Sequence, residues 1–360
     1  MTKKLLLLNG FAILVVPLHH ATSYGLQAMF FWTNRYLPVS VPNFDQMGSI
    51  QYYVTMTIRQ LDTFAVPAFL FVSGYFISIM ARGERDNISW NVVLPRVKIL
   101  LIPLILWTAV RNLLLLQVPN SLDDVLNPYT FLLLLIQLYL ISPFIVPLAK
   151  KRWQLLLIVA AIFQLGVQTI KYLSLIGVEY QGQELLAVLT PRWFFLTQQP
   201  FWFPLGLVIG LHLSSFNTWL GRVKRPLFFA TILLGAAAVA EYLIATGSNS
   251  EAWDNPSYAG YTRTFYILAL LLWYLTIDEK KLPFSNSISK LSTKSLGIYL
   301  ANIPIIYMVA VIFWRFTPLL LGKQFFYQGL LYLAGLLGPI LLMEVIRRSP
   351  ARRWYRYVFG

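Results

Sequence analysis

Ionisable side chains interrupt several long apolar runs of this sequence. A charged or titratable group is costly in hydrocarbon, so its presence there marks a binding or reaction site by default. We therefore expect the function of the protein to depend on such residues, inside the apolar segments or at their ends. The residues concerned are His19, His20, Arg59, Asp62, Arg111, His212, Glu241 and Arg263.

His20 is the residue best suited to acid–base chemistry. Imidazole has an unperturbed pKa near 6.5, so it can take a proton from a hydroxyl at neutral pH. In a helix that begins near residue 5, His20 lies roughly 22 Å along the axis, in the outer half of a helical bundle. A histidine that only hydrogen-bonds a neighbouring helix is the alternative. Taken alone, this residue favours that structural role.

Two further sets of charged residues have structural interpretations, and both lie toward the side of the membrane opposite the N-terminus. Arg59 and Asp62 are three residues apart, so on one helix they share a face and are expected to form an ion pair at the membrane boundary. Glu241 interrupts the run AAAVAEYLIA and must face protein, water or a basic partner. Either outer arginine could be that partner, and the sequence does not distinguish them.

A basic cluster lies between the second and third apolar runs. Arg82, Arg85, Arg96 and Lys98 fall within seventeen residues, and together they could hold a phosphorylated ligand. Charge that sets membrane orientation explains the same residues. Without further context, orientation is the favoured interpretation.

The composition identifies the protein class in which these residues must work. The chain has 360 residues, of which 58% are hydrophobic and 12% charged, and a soluble fold could not cover so much apolar surface. A bilayer core about 30 Å thick needs roughly 20 apolar residues in a helix. The predicted fold class is therefore all-α, a polytopic membrane bundle of about ten helices. The predicted spans are residues 5–30, 61–81, 92–116, 129–149, 154–175, 194–213, 226–246, 262–277, 294–314 and 325–346.

The basic residues also predict orientation. Most of the 29 lysines and arginines fall at every second gap between spans. The positive-inside rule then makes both termini cytoplasmic, which requires an even number of spans. The net charge of +15 needs no nucleic acid to explain it, because it is topogenic and also suits anionic lipid headgroups.

The remaining composition limits the chemistry and the domain organisation. The chain has no cysteine, which excludes disulfides, thiolate nucleophiles and cysteine-ligated metal. The cytoplasmic links are short, and the largest predicted loops are two outer segments, residues 32–60 and 247–263. We therefore predict one transmembrane domain over residues 1–350 and a short basic cytoplasmic tail over residues 351–360, with no metal site.

Several motifs resemble one known family. NGFAILVVPLHHA is similar to LRGIAILLVVLGHA in the first span of the acyltransferase 3 family, whose histidine falls on His20. FAVPAFLFVSGYFISIMARGER resembles that family's apolar run into a Ser-Gly-Tyr element, followed by an Arg-x-x-Arg pair. PRVKILLIP resembles the basic start of its third span, and SLGIYLANIPI resembles a late SxGIYLxH element.

The resemblance implies a membrane O-acyltransferase. Such an enzyme moves an acyl group from a cytoplasmic acyl-CoA, typically acetyl-CoA, to a hydroxyl of an exported sugar, glycan or lipid. It needs no permanently bound cofactor, and it is expected in the plasma (inner) membrane. With this resemblance, a catalytic role of His20 is favoured over the structural role, and His20 becomes the catalytic base. The donor ligands are then Arg82, Arg85, Arg96 and Lys98, and the supporting polar groups are His19, Ser73, Tyr75, Glu241, Tyr299 and Asn302.

Two departures from the family pattern keep other functions open. Asn9 stands where the family has an arginine, and Asn302 where it has a histidine. These changes suit a family member without catalytic activity. The other alternative is a transporter or flippase for a lipid-linked saccharide, in which His20, Glu241 and Arg263 line a polar pathway.

Overall fold

The computed structural model of the chain describes residues 2–41, 43–82, 87–115, 129–175, 199–247, 260–278 and 284–360, and the single positions 125, 178, 194, 196 and 282. This part of the chain is helical and contains no β-strand. In chain order its helices are α1 (Thr2–Phe30), α2 (Ile50–Leu61), α3 (Ala65–Ala81), α4 (Trp90–Leu115), α5 (Thr130–Lys151), α6 (Trp153–Leu175), α7 (Trp202–Leu211), α8 (Leu213–Gly247), α9 (Tyr261–Thr276), α10 (Ser285–Ser292), α11 (Ser295–Phe316), α12 (Gln324–Arg348) and α13 (Tyr355–Phe359).

The membrane-spanning character of the bundle is confirmed. Within the described residues, 8 helical segments are long and apolar enough to cross a membrane. The predicted sixth and eighth spans correspond instead to α7, of 10 residues, and α9, of 16 residues. Both are shorter than the roughly 20 residues that a perpendicular crossing needs. In the part of the chain that the structure describes, 8 of the ten predicted spans are therefore long enough for a perpendicular crossing.

The second span starts earlier than predicted, because α2 occupies the second half of the predicted outer loop 32–60. Ser49 caps α2, and its hydroxyl accepts a hydrogen bond from the Tyr52 amide at 3.1 Å. Helical structure then continues to Ala81 through a 3-10 turn, Asp62–Phe64. The apolar pattern missed α2 because the helix buries polar side chains, including Thr55 and Arg59, among its apolar ones. The other predicted outer loop, 247–263, lies mostly outside the described residues.

Helices α3 and α7 pack backbone against backbone. A side chain on Gly74 would clash with the Phe203 carbonyl oxygen, and one on Gly206 would clash with the Phe71 carbonyl oxygen. Small residues let helix backbones approach in a membrane, where packing takes over from the hydrophobic effect. Glycine is therefore required at both positions by the neighbouring backbone.

Helix α1 lies at the centre of the bundle, where it packs against α3, α10, α11 and α12. The C-terminal tail, residues 351–360, packs against this bundle. Its last turn, α13, packs on α4, where Phe359 is buried and the Trp107 indole donates to the Val358 carbonyl at 2.8 Å. Residues in the middle of α1 consequently face protein from several helices, which is where both histidines of this helix lie.

Candidate active site

A cavity of about 310 Å³ lies beside the two histidines of α1. Segments far apart in the chain build it, because α1, the turn after α2, the start of α5 and the start of α9 meet at this depth. Its wall is mixed, with titratable and amide groups set among aliphatic and aromatic side chains. It is lined by Val16, His19, His20, Asp62, Thr63, Ala65, Val66, Thr130, Phe131, Gln199, Arg263 and Tyr299.

His19 and Asp62 form a direct pair in this cavity. The Nδ1 atom of His19 lies 2.7 Å from Oδ1 of Asp62, whose side chain is 4% exposed. The second carboxylate oxygen, Oδ2, has no hydrogen-bond partner among the described residues. A carboxylate on one ring nitrogen fixes the orientation and tautomer of an imidazole. His19 is therefore held with its Nε2 atom available.

Arg59 and Asp62 do not form the predicted direct ion pair, and their charges interact only at longer range. Arg59 donates instead to the His19 carbonyl oxygen at 2.9 Å and to the Thr22 hydroxyl at 3.4 Å. The expectation assumed one continuous α-helix, whereas the 3-10 turn that begins at Asp62 changes the direction of this side chain. Arg59 thus ties α2 to α1, while Asp62 holds the histidine.

His20 shares the cavity but has no such partner. Its ring lies nearly perpendicular to that of His19, with the centroids 5.7 Å apart. Neither ring nitrogen of His20 makes a hydrogen bond within the part of the chain that the structure describes. The ring is only partly buried, because it faces the cavity. The cavity thus presents an imidazole that is free to bind the hydroxyl of another molecule.

Comparison with known families settles the class of the protein. A family model described as an acyltransferase domain matches residues 5–345, nearly the whole chain. The chain belongs to the acyltransferase 3 family. No curated protein and no solved structure matches it. The protein is a multi-pass membrane acyltransferase that transfers groups other than amino-acyl groups, and it acts between an acyl donor and an acceptor.

A second cavity of the acyltransferase contains the first departure from the family pattern. This cavity of about 130 Å³ is lined by Asn9, Ser73, Ser295 and Tyr299, together with apolar side chains. The Asn9 amide nitrogen lies 3.0 Å from the hydroxyls of both Ser292 and Ser295. A neutral amide that joins α1 to the start of α11 thus occupies the place of the family's arginine.

The structure separates the predicted donor ligands from the histidine cavity. Arg82 ends α3, where it bonds the Tyr75 side chain and donates to the Gly210 carbonyl oxygen. Arg96 donates to the Val92 carbonyl of its own helix at 2.8 Å. Lys98 lines another groove, of about 260 Å³, together with Arg356. Arg85 lies outside the described residues.

Four of the predicted supporting groups, Ser73, Tyr75, Glu241 and Asn302, lie outside the lining of the histidine cavity. Glu241 accepts hydrogen bonds from the Tyr261 and Thr262 amides, at 3.1 and 3.0 Å, and from the Thr262 hydroxyl. It therefore caps α9, the helix that carries Arg263. Asn302 donates to carbonyl oxygens of its own helix, those of Ile298 at 2.9 Å and Tyr299 at 2.6 Å.

Sequence reasoning missed the pairing of His19 and several uncharged lining residues of the acyltransferase. Gln199, Thr63 and Thr130 carry no charge and therefore gave no signal in an apolar sequence. The partner of His19 could have been found from its position along its own helical run. His19 lies about as far from the N-terminus of the helical run Thr2–Phe30 as Asp62 lies from the C-terminus of the neighbouring run Ile50–Ala81.

Proposed function

We propose that this acyltransferase moves an acyl group, acetyl in the simplest case, from cytoplasmic acyl-CoA to a hydroxyl of a sugar, glycan or lipid of the cell envelope. The observation that carries the proposal is the unpartnered imidazole of His20 in a cavity of about 310 Å³. The proposed setting is the plasma membrane, with both termini in the cytoplasm. On that orientation the cavity lies in the outer half of α1, close to an acceptor on the far side.

His20 is the proposed general base. The acceptor hydroxyl gives its proton to a ring nitrogen of His20 while its oxygen attacks the thioester carbonyl carbon. The carbon–sulfur bond then breaks, the coenzyme A thiolate takes the proton from the imidazolium, and an ester remains on the acceptor. A base of this kind typically contributes about 10² to 10⁴ in rate.

Tyr299 is the proposed donor to the oxyanion that forms during this attack. Among Ser73, Tyr75, Tyr299 and Asn302, only Tyr299 lines the cavity that contains His20. An oxyanion donor must lie near the position that the charged oxygen will occupy. Membership of that lining therefore favours Tyr299 over the other three.

The inner basic residues are the proposed ligands of the donor phosphates. Arg82 lies at the end of α3, and Arg96 and Lys98 lie early in α4. Both positions belong to the end of the bundle that contains the N-terminus of α1. Guanidinium and ammonium groups at a cytoplasmic entrance suit the phosphates of coenzyme A, and Arg85 of the same connection is proposed to join them.

The test is a change in acyl content that depends on His20. Mass spectrometry of envelope glycans and lipids, with and without the gene, should reveal a difference equal to one acyl group. Purified His20→Ala protein should transfer radiolabelled acetyl groups about 10² to 10⁴ times more slowly than wild type. Transfer at the normal rate would refute the assignment of the base.

A matched control removes an imidazole elsewhere. His212 bonds the Ala149 carbonyl oxygen at 2.9 Å, and glutamine can still donate to that oxygen. His212→Gln should therefore keep normal transfer. If the envelope shows no acyl difference but a saccharide accumulates inside cells that lack the gene, the transporter alternative is favoured.

A further inference from the structure

The two cavities are stacked along the helix axes. The cavity beside His20, here called the outer cavity, and the cavity beside Asn9, here called the inner cavity, are both lined by α1, α3, α5 and α11. Each helix lines them in the same order along the bundle. Asn9 and His20 are eleven residues apart on α1, about 16 Å along the axis. The residues that line the inner and then the outer cavity are Asn9 and His20 on α1, Ser73 and Ala65 on α3, and Leu135 and Thr130 on α5.

Two aromatic residues separate the cavities. Phe131 on α5 and Tyr299 on α11 line both of them. Their rings meet edge to face, with centroids 5.3 Å apart. Phe69 on α3 also packs against Phe131, with the ring centroids 5.6 Å apart. The wall between the cavities is therefore made of rings from three helices.

Neighbouring contacts hold one part of this wall more firmly than the other. Tyr299 is only 6% exposed, and the Tyr129 ring packs edge to face against it at 6.2 Å. The Tyr129 hydroxyl donates to the Leu300 carbonyl at 2.8 Å, next to Tyr299 in the chain. Phe131 is only partly buried and has no polar anchor. Phe131 is therefore the ring that can move aside.

An enzyme whose two substrates come from opposite faces of a membrane has a sealing problem. The donor must reach the base from one side and the acceptor from the other. An open path between them would admit water, which hydrolyses thioesters, and would leak protons. A wall of two rings, one of them movable, solves this problem because it blocks water while letting a small apolar group pass.

We propose that Phe131 and Tyr299 form a gated partition between a donor chamber and an acceptor chamber. The inner cavity receives the acyl end of the thioester, and the acyl group passes Phe131 to reach His20. This inference rests on the proposed function. The inner cavity suits a thioester end because its polar groups, from Asn9, Ser73 and Ser295, accompany an apolar wall. Its volume of about 130 Å³ favours short acyl chains.

The first test joins the chambers by removing the movable ring. Purified Phe131→Ala protein should hydrolyse acyl-CoA when no acceptor is present, because water reaches the thioester. The ratio of this hydrolysis rate to the rate of transfer with acceptor present should be about tenfold or more above that of wild type. It should also accept butyryl-CoA better than wild type does. Phe131→Leu keeps most of the bulk and should keep a ratio near that of wild type. If Phe131→Ala does not accumulate, Phe131→Val is measured in its place.

Phe144→Ala is the matched control, since Phe144 lies on the same helix and is 68% exposed on its surface. A second measurement does not depend on acyl chemistry. Vesicles that contain Phe131→Ala protein should lose a pH gradient faster than vesicles that contain Phe144→Ala protein. Unchanged hydrolysis ratio and unchanged proton leak would overturn the partition, even in a protein that transfers acetyl groups.

The two measurements also separate the partition from the proposed function. If wild type transfers no acyl group but Phe131→Ala leaks protons, the proposed function fails while the seal between the cavities is supported. If wild type transfers acyl groups and Phe131→Ala changes neither measurement, the proposed function survives and the partition fails.

Discussion

Two histidines share one cavity, and a carboxylate holds His19 but not His20. The 2.7 Å contact between His19 and Asp62 resembles the arrangement that activates a general base in many hydrolytic enzymes. His20 has the position of the family histidine, and its ring nitrogens make no hydrogen bond within the described residues. We interpret His19 as a positioning residue, because Asp62 fixes its ring and that ring packs nearly perpendicular to the ring of His20.

This interpretation gives a graded prediction for three variants. His20→Ala should lose the most activity, while His19→Ala and Asp62→Asn should each lower kcat by roughly tenfold to a hundredfold with little change in KM, because the ring of His20 is then less well oriented for proton transfer. The measurement is steady-state kinetics of purified proteins with acetyl-CoA. If His19→Ala and Asp62→Asn lose as much as His20→Ala, or more, His19 is the base.

At the level of elements, the close packing of α3 on α7 predicts a large effect from a very small change. Gly206→Ala places a methyl group against the Phe71 carbonyl oxygen. We expect an overpacking cost of about 1–3 kcal/mol, which exceeds the gain of roughly 1 kcal/mol that alanine brings to a helix. The measurement is the Tm of the purified protein in detergent, which should fall.

Gly221→Ala is the control for that experiment. Gly221 lies in α8 and has open space where its side chain would be. Here only the helix propensity changes, so the Tm should stay the same or rise slightly. Equal effects of the two substitutions would mean that the contact between α3 and α7 is looser than the structure has it.

The elements also explain how far sequence reasoning could reach. Hydropathy found the long helices because each presents a continuous apolar run, as α5 and α11 do. It missed α2 because Thr55, Arg59 and Gln60 lower the mean hydropathy of a helix that is nonetheless buried. The partner of Asp62 was missed for a different reason. A contact between helices more than 40 residues apart depends on how the bundle packs, which local periodicity does not encode.

For the whole molecule, the alternation of basic and apolar segments predicts one orientation, with both termini in the cytoplasm. The proposed function depends on it, since the inner cavity must face the donor and the outer cavity the acceptor. The family match over residues 5–345 makes the protein an acyltransferase, but it does not say which end of the helical bundle faces the cytoplasm. The absence of cysteine makes the orientation directly measurable, because any introduced thiol is unique.

Single cysteines at exposed positions test this orientation. Ser40→Cys lies beyond the end of α1, while Ala351→Cys follows α12, and both positions are exposed. In intact cells, a membrane-impermeant maleimide should label Ser40→Cys at once and Ala351→Cys only after permeabilisation. Thr2→Cys should behave like Ala351→Cys, because an even number of crossings puts both termini on one side. Labelling of Ala351→Cys in intact cells would mean that the orientation is the reverse of the proposed one. The inner cavity with Asn9 would then face away from any cytoplasmic donor.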